Sequence, residues 1–197
     1  MNAPIRPNPP NAVAHRFTVA EVVRLSEEGR LPERGRIELV DGRIEIRPTD
    51  GELHTFALQA LANFFNGRSE RGPVLADALD VRVKATLKID DYHAREPDLM
   101  ITRRFAGVRF PAPDDVVLIV EASVSSRARD LDEKRKVYAQ AGIGEYWVWE
   151  AEAETLHVFR DPADGDYATA RIARAGETAA PLFAPAMALT VDDLIPR

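Results

Sequence analysis

Two kinds of apolar pattern predict the strands of this chain. Residues 36–47 alternate apolar and charged positions on either side of Asp41-Gly42, which is a preferred two-residue hairpin turn. Residues 116–120 are continuously apolar, as is typical of a strand that is covered on both faces. Other strand-like segments cover residues 74–89, 97–102, 144–149 and 155–159, and a further hairpin is predicted at Asp164-Gly165.

Helical signals separate these strands. Capping-box patterns at Thr18 and Asp130 predict helices over residues 18–28 and 130–141. Residues 54–66 repeat apolar side chains with helical spacing, which predicts a helix with one inward face. The alternation of strands and helices predicts a mixed α/β protein.

The composition restricts the class of protein. The 197 residues are 45% hydrophobic, which suits one domain over residues 17–197. Residues 1–16 are proline-rich without apolar periodicity, so we expect a flexible arm there. Cysteine is absent, which excludes disulfides and thiolate metal sites. No apolar run approaches the roughly 18 residues of a membrane helix. We therefore expect a cytoplasmic location and no membrane partner.

The charge narrows the choice of partners. A net charge of −6 and a pI of about 5.3 count against a protein that coats nucleic acid through a broad basic surface. Arginine and lysine are nevertheless concentrated in residues 103–109 and 127–136. These residues form either a local basic rim or scattered solvated charge, and the sequence leaves both open.

Two carboxylates and one lysine carry the chemical signal. Asp98 and Glu121 lie at the ends of predicted buried strands, where an unpaired charge is costly. Pairs of carboxylates bind hard divalent cations through oxygen. Lys134 lies on the apolar stripe of the third helix with Leu131 and Tyr138, so it needs a partner, and Glu121 is the natural candidate. This combination predicts a metal-dependent phosphodiesterase.

Structural alternatives remain open for each candidate. Glu121 and Lys134 suit a buried ion pair equally well, with Asp98 merely ending a strand. Glu38 is paired with Glu45 across the first hairpin, where like charges require solvent, a cation or an arginine. His54 begins the inward stripe of the second helix, as either a structural or a site residue.

At this point the motifs resemble those of a known family. The chain is similar, over roughly residues 17–159, to the Uma-type endonucleases, a restriction-endonuclease-like family of the PD-(D/E)XK nuclease superfamily. The matching elements are Glu38-Leu39-Val40-Asp41-Gly42, His54, Pro97-Asp98, Val120-Glu121, the series Asp130, Lys134, Tyr138 and Gly142 at spacings of four, and Glu145-Tyr146-Trp147.

The resemblance implies a restriction-endonuclease-like fold of the α/β (α+β) class, with a mixed central sheet flanked by helices. It implies that Mg²⁺ or Mn²⁺ is held by Asp98, Glu121 and the Ala122 carbonyl. Lys134 would orient or activate the water, and the site would be lined by Glu38 and His54.

Two departures from the family and superfamily patterns stand out. The usual superfamily lysine lies two residues beyond the second carboxylate, which is the position of Ser123 here. The segment after Glu121 also lacks the proline that is usual in the family. The resemblance therefore implies a variant in which Lys134 reaches the place of the missing lysine.

The predicted function is hydrolysis of DNA phosphodiesters, with DNA as the partner and a homodimer that would cut both strands. One alternative is a non-catalytic scaffold of the same fold that keeps a structural Glu121–Lys134 pair and dimerises through residues 147–149 or the tail. Another is a glycosidase that uses paired carboxylates, which the small number of aromatic residues disfavours.

Overall fold

In the computed structural model, which describes residues 15–33, 35–67, 78–124 and 126–196, helices cover both faces of a six-stranded mixed sheet. The elements in chain order are α1 (Val19–Glu27), β1 (Arg36–Val40), β2 (Arg43–Arg47), α2 (Glu52–Phe65), β3 (Leu79–Val83), β4 (Leu87–Lys88), β5 (Ala94–Arg95), β6 (Leu99–Arg103), a 3₁₀ turn (Pro113–Asp115), β7 (Val116–Ser123), a π-helix (Arg129–Lys134), α3 (Arg135–Gln140), β8 (Glu145–Glu150), β9 (Thr155–Ala163), β10 (Asp166–Ala173), β11 (Thr178–Ala179), β12 (Leu189–Thr190) and a second 3₁₀ turn (Val191–Leu194).

The large sheet has the strand order β10-β9-β8-β7-β6-β3. Its central pair, β7 and β8, is parallel, and its other pairs are antiparallel. The mixed sheet predicted by the resemblance is therefore confirmed. A smaller sheet has the order β2-β1-β5-β4. Only three residues connect its strand β5 to β6 of the large sheet.

One face of the large sheet packs against α2 and the C-terminal residues. The buried stripe of α2 contains Ala57, Leu58 and Leu61, as the periodicity predicts. Trp147 and Trp149 are 0% and 1% exposed in the same core, which also contains apolar residues of the tail. Trp147 and Trp149 are therefore covered within the chain and are not available to a dimer interface. Dimerisation through the tail stays a prediction, since Leu182 is 52% exposed.

Local turn chemistry explains the first hairpin. Asp41 and Gly42 have φ values of 49° and 72°, which suit the tight turn expected between β1 and β2. The predicted register is confirmed, with Glu38 opposite Glu45. The capping box at Thr18 is also confirmed at the start of α1.

One predicted strand is interrupted in the structure. The strand predicted over residues 74–89 is divided into β3 and β4, which lie in different sheets, because the chain turns at Lys84 with a φ of 47°. The first residues of that prediction, 74–77, lie outside the described residues, as does nearly all of the predicted arm, residues 1–14.

The third helix begins earlier than predicted, and part of it is a π-helix instead of an α-helix. Helical turns begin at Arg127, and the π-helix precedes α3. Asp130 is therefore not an N-cap. It is 1% exposed inside the helix, and its carbonyl accepts a hydrogen bond of 2.9 Å from the Tyr146 hydroxyl. Such π-helical turns are rare and occur frequently at functional sites.

Across the described residues, the helices are too short or too polar to cross a lipid bilayer.

Candidate functional site

Asp98 and Glu121 face each other across two antiparallel strands. Leu99 of β6 is paired with Val120 of β7, so continuing the register by one residue places Asp98 opposite Glu121. Cross-strand partners share a face of the sheet. The backbone N–H of Asp98 lies 3.4 Å from a carboxylate oxygen of Glu121, and the two side chains are 2% and 1% exposed.

Lys134 reaches this pair from the end of the π-helix. Its Nζ lies 2.8 Å from Oε1 of Glu121 and 3.4 Å from Oδ1 of Asp130. The Tyr138 hydroxyl, one turn further along, donates a 3.1 Å hydrogen bond to the same Glu121 oxygen. The contact between Glu121 and Lys134 that the stripe predicts is therefore present, and Asp130 and Tyr138 complete the surroundings.

The burial of this cluster changes its proton affinity. Burial raises the pKa of Glu121 to about 8, with Lys134 opposing the rise and Asp98 and Asp130 adding to it. Burial alone would lower the pKa of Lys134, but Glu121 and Asp130 outweigh it and raise that pKa above its ordinary value. Lys134 therefore stays a cation, and its charge compensates the surrounding acids.

Asp98 is held in the ionised form by donors from three elements. His54 Nε2 of α2 lies 2.9 Å from Oδ2, which also accepts a 2.8 Å hydrogen bond from the Ala122 N–H. Arg36 of β1 donates to Oδ1 at 2.7 Å. Burial alone would raise the pKa of Asp98, but the hydrogen bond with His54 and the charge of Arg36 hold it well below its usual range.

A third carboxylate, Asp50, joins this side of the site. Its Oδ1 lies 2.6 Å from Arg36 and 3.6 Å from His54 Nε2, and its other oxygen contacts Lys84. One ligand atom each from Asp50, His54 and Asp98 lie within 4.8 Å of one another, close enough to hold a metal ion. The structure therefore brings Asp50 into the candidate site, although no pattern in the sequence indicates it.

Glu38 lies next to the cluster and is held by arginines. It is 2% exposed, so the solvated alternative is wrong for this side chain. Arg95 Nη1 donates to it at 3.1 Å, while Arg47 Nε lies 3.7 Å away and Arg47 also contacts Glu45. Although burial acts in the opposite direction, Lys134 and Arg95 lower the pKa of Glu38.

The family relationship rests on comparison of the whole sequence. The family model Uma2, described as "Putative restriction endonuclease", matches residues 19–192. The chain belongs to the Uma2 family. No curated protein matches the sequence.

A solved structure supports the fold of this Uma2-family chain. The chain is similar to the crystal structure of a "putative nuclease belonging to DUF820" from Anabaena variabilis, with a TM-score of 0.61 and 16% identity. The similarity covers 86% of this chain and 96% of that one. At this identity the likeness shows the fold, so the Uma2-family chain has a nuclease-like fold.

The Uma2-family chain places Lys134, and not Ser123, against Glu121. Ser123 is 1% exposed, and its hydroxyl has no hydrogen-bond partner. The segment that follows Glu121 without the expected proline contains Ser125, which lies outside the described residues.

The arginine-rich segments have different surroundings. Arg129 lies beside the candidate site, in the π-helix. Arg109 lies beyond the opposite end of β6 from Asp98 and pairs with Asp115. Lys136 pairs with Asp132 on the surface of the helix. The charges near residues 103–109 are therefore remote from the carboxylates.

Proposed function

We propose that this protein is a divalent-metal-dependent endonuclease that hydrolyses DNA phosphodiester bonds. The observation that carries the proposal is the convergence of Asp98, Glu121 and Lys134 from two adjacent strands and a π-helix. Membership of the Uma2 family supports a nuclease activity. DNA as the substrate and the roles of individual residues are part of the proposal.

The available ligands suit Mg²⁺ or Mn²⁺. Carboxylate oxygens from Asp98 and Glu121, with the Ala122 carbonyl, form an oxygen-rich set, and His54 and Asp50 lie on the other side of Asp98. Hard divalent cations prefer such oxygen ligands, and imidazole is acceptable to Mn²⁺. When bound, the ion would polarise a phosphoryl oxygen and lower the pKa of a bound water.

The protein's own groups then have separable roles. Lys134 directs its ammonium at Glu121 and Asp130, orients a water through its remaining N–H group and stabilises negative charge that develops on the phosphate. His54 and the Ala122 N–H fix the orientation of the Asp98 carboxylate. Glu38 and Arg95 hold the neighbouring backbone, because Glu38 accepts from the Glu96 N–H at 3.4 Å.

The non-catalytic alternative uses the same contact for a different purpose. A structural pair between Glu121 and Lys134, completed by Tyr138, would have no need of metal. Thermal unfolding with Mn²⁺, and again after a chelator, separates the two. Stabilisation that rises with Mn²⁺ concentration and is reversed by the chelator supports the metal site. Unchanged thermal unfolding favours the structural pair.

Metal-dependent nicking of supercoiled plasmid is the expected activity. We expect Glu121→Gln to lower the nicking rate at least about 100-fold, since a group that stabilises the transition state is lost. The matched control is Glu152→Gln, which removes an exposed carboxylate in the turn after β8. Equal nicking by the native chain and Glu121→Gln would contradict the proposal.

The products of the same reaction test the proposed homodimer. Two active sites that act together on a duplex would yield linear plasmid early, without a long accumulation of nicked circles. A single site would first accumulate nicked circles. Sedimentation of the protein at the assay concentration provides the independent measure of its oligomeric state.

A further inference from the structure

A cavity of about 390 Å³ opens beside Asp98. It shares two residues with the candidate site, because Arg36 and His54 both line it and both contact Asp98. Its other walls come from the loop before α2, the start of α2 and the segment between β7 and α3, including Ser126 and Arg129. Its volume is in the range of small-ligand sites.

Three arginines give this cavity its chemical character. Arg36, Arg47 and Arg129 all line it, and their side chains are 13%, 27% and 24% exposed, so part of each is accessible to a ligand. Their Nε atoms are buried, and those of Arg47 and Arg129 face Glu38 and Asp130 at 3.7 and 4.0 Å. The guanidinium group matches the geometry of phosphate oxygens, to which it can donate two parallel hydrogen bonds. Three guanidinium groups that line one cavity therefore favour an anionic ligand.

The acidic groups of the cavity leave this character intact. Asp50 is already contacted by Arg36 and by Lys84. Glu52 is exposed in the first turn of α2, at the outside of the cavity. The lining thus contains three arginines and two carboxylates, one of which is compensated by Lys84. Behind the lining, the arginines also face Asp98, Glu38 and Asp130, which hold the guanidinium groups in place. The start of α2 adds partial positive charge, and Gly51 provides no side-chain cap there.

The cavity lies next to one of the two buried carboxylates, Asp98, without being lined by it. Asp98 and Glu121 are nearly inaccessible, at 2% and 1% exposure. Arg36 and His54, which contact Asp98 directly, form part of the cavity wall. A strand of nucleic acid that brings a phosphodiester to Asp98 therefore places an adjacent phosphate among the arginines, since neighbouring phosphates are separated by a single nucleotide.

We propose that this arginine-lined cavity binds a backbone phosphate of the nucleic-acid substrate, next to the phosphate that is cut. The inference rests on the proposed function for its substrate class. In this proposal, Arg36, Arg47 and Arg129 are positioning residues. They fix the place of the nucleic-acid strand relative to Asp98. Phosphate contacts of this kind fix register without reading sequence.

The test measures DNA binding without catalysis. Fluorescence anisotropy of a labelled duplex, in chelator and over a series of salt concentrations, compares the native chain with Arg129→Gln. We expect affinity to fall about tenfold, because a charge-assisted hydrogen bond to phosphate is lost. We also expect the slope of log affinity against log salt to decrease by about 1.

The matched control removes an arginine elsewhere. Arg171→Gln alters an exposed arginine on the edge strand β10, and it should leave affinity and salt slope unchanged. Arg47 also compensates the charges of Glu38 and Glu45, so its variant must keep the positive charge. Arg47→Lys keeps this charge but cannot donate two parallel hydrogen bonds to a phosphate. We expect Arg47→Lys to lower affinity as well. Thermal unfolding of each variant verifies that it is folded.

The outcomes separate this inference from the proposed function. Native affinity and salt slope in Arg129→Gln would overturn the phosphate site even if plasmid nicking is confirmed. Weakened DNA binding without any nicking by the native chain would support the phosphate site and reject the endonuclease. Inorganic phosphate is the probe for a free anion: tight binding of phosphate alone, with no binding of DNA, would overturn the assignment to a nucleic-acid backbone.

Discussion

Lys134→Met is expected to lower the free energy of unfolding by about 3 kcal/mol, at the lower end of the range for breaking a buried ion pair. The substitution leaves Glu121 and Asp130 buried without their shared cation. Burial raises the pKa of Glu121 to about 8 even with Lys134 present, and loss of the ammonium raises it further, so Glu121 holds a proton at pH 7 and the loss stays at the lower end. Urea-induced unfolding at pH 7 provides the measurement.

A double variant separates the stabilising role of Lys134 from its chemical role. Glu121→Gln combined with Lys134→Met removes both charges, so we expect it to recover most of the lost stability. Its nicking activity should nevertheless remain at least about 100-fold below that of the native chain. Native activity in this variant would show that the pair has no chemical role and would contradict the proposed function.

The surface lysine on the same helix is the control. Lys136 is 48% exposed and pairs with Asp132 in solvent, so Lys136→Met should change stability little and leave nicking unchanged. A loss equal to that of Lys134→Met would show that the effect comes from the helix rather than from the buried charge.

The core of the site could be predicted because its geometry follows from local patterns. A strand that begins after Asp98 and a strand that reaches Glu121 bring the two carboxylates together once the strands pair antiparallel. Helical spacing then places Lys134 and Tyr138 on one stripe. Each step uses a short-range periodicity, so the sequence contains the information.

The rest of the site depends on pairing between distant segments. Arg36 lies 62 residues from Asp98 along the chain, and Arg95 lies 57 residues from Glu38. The repulsion between Glu38 and Glu45 indicated that an arginine was one solution, but no pattern identified which arginine. Asp50 carries no periodic signal, since it lies in the loop before α2.

The π-helix shows how a local signal can be overridden. The spacing of Asp130 and Glu133 matches a capping box, which satisfies backbone N–H groups at a helix start. In the structure, the Asp130 side chain instead approaches Lys134 and accepts from the Ser126 hydroxyl inside the helix. The Asp130 side chain therefore compensates the buried charge of Lys134 instead of capping a helix. The helix begins before Asp130.

Arg95→Met is expected to lower the free energy of unfolding by about 3–5 kcal/mol, because it leaves the buried carboxylate of Glu38 without its closest partner. Arg95 is 1% exposed and also donates to Glu133 at 2.9 Å, one residue before Lys134. It thus joins the small sheet to the π-helix. Urea-induced unfolding measures the loss, and Arg171→Met on the exposed edge strand is the matched control.

Recovery by a second substitution determines whether the buried charge causes this loss. If it does, Glu38→Gln combined with Arg95→Met should recover most of the stability, since no uncompensated ion remains. A loss that persists in the double variant would instead assign the effect to the link between Arg95 and Glu133. A small loss in Arg95→Met alone would mean that Lys134 and Arg47 suffice to hold Glu38 ionised, since both lie close enough to act on it. In that case the charge of Lys134 would compensate Glu38 as well as Glu121. The ammonium group that we propose to act in catalysis would then also stabilise the junction of the two sheets.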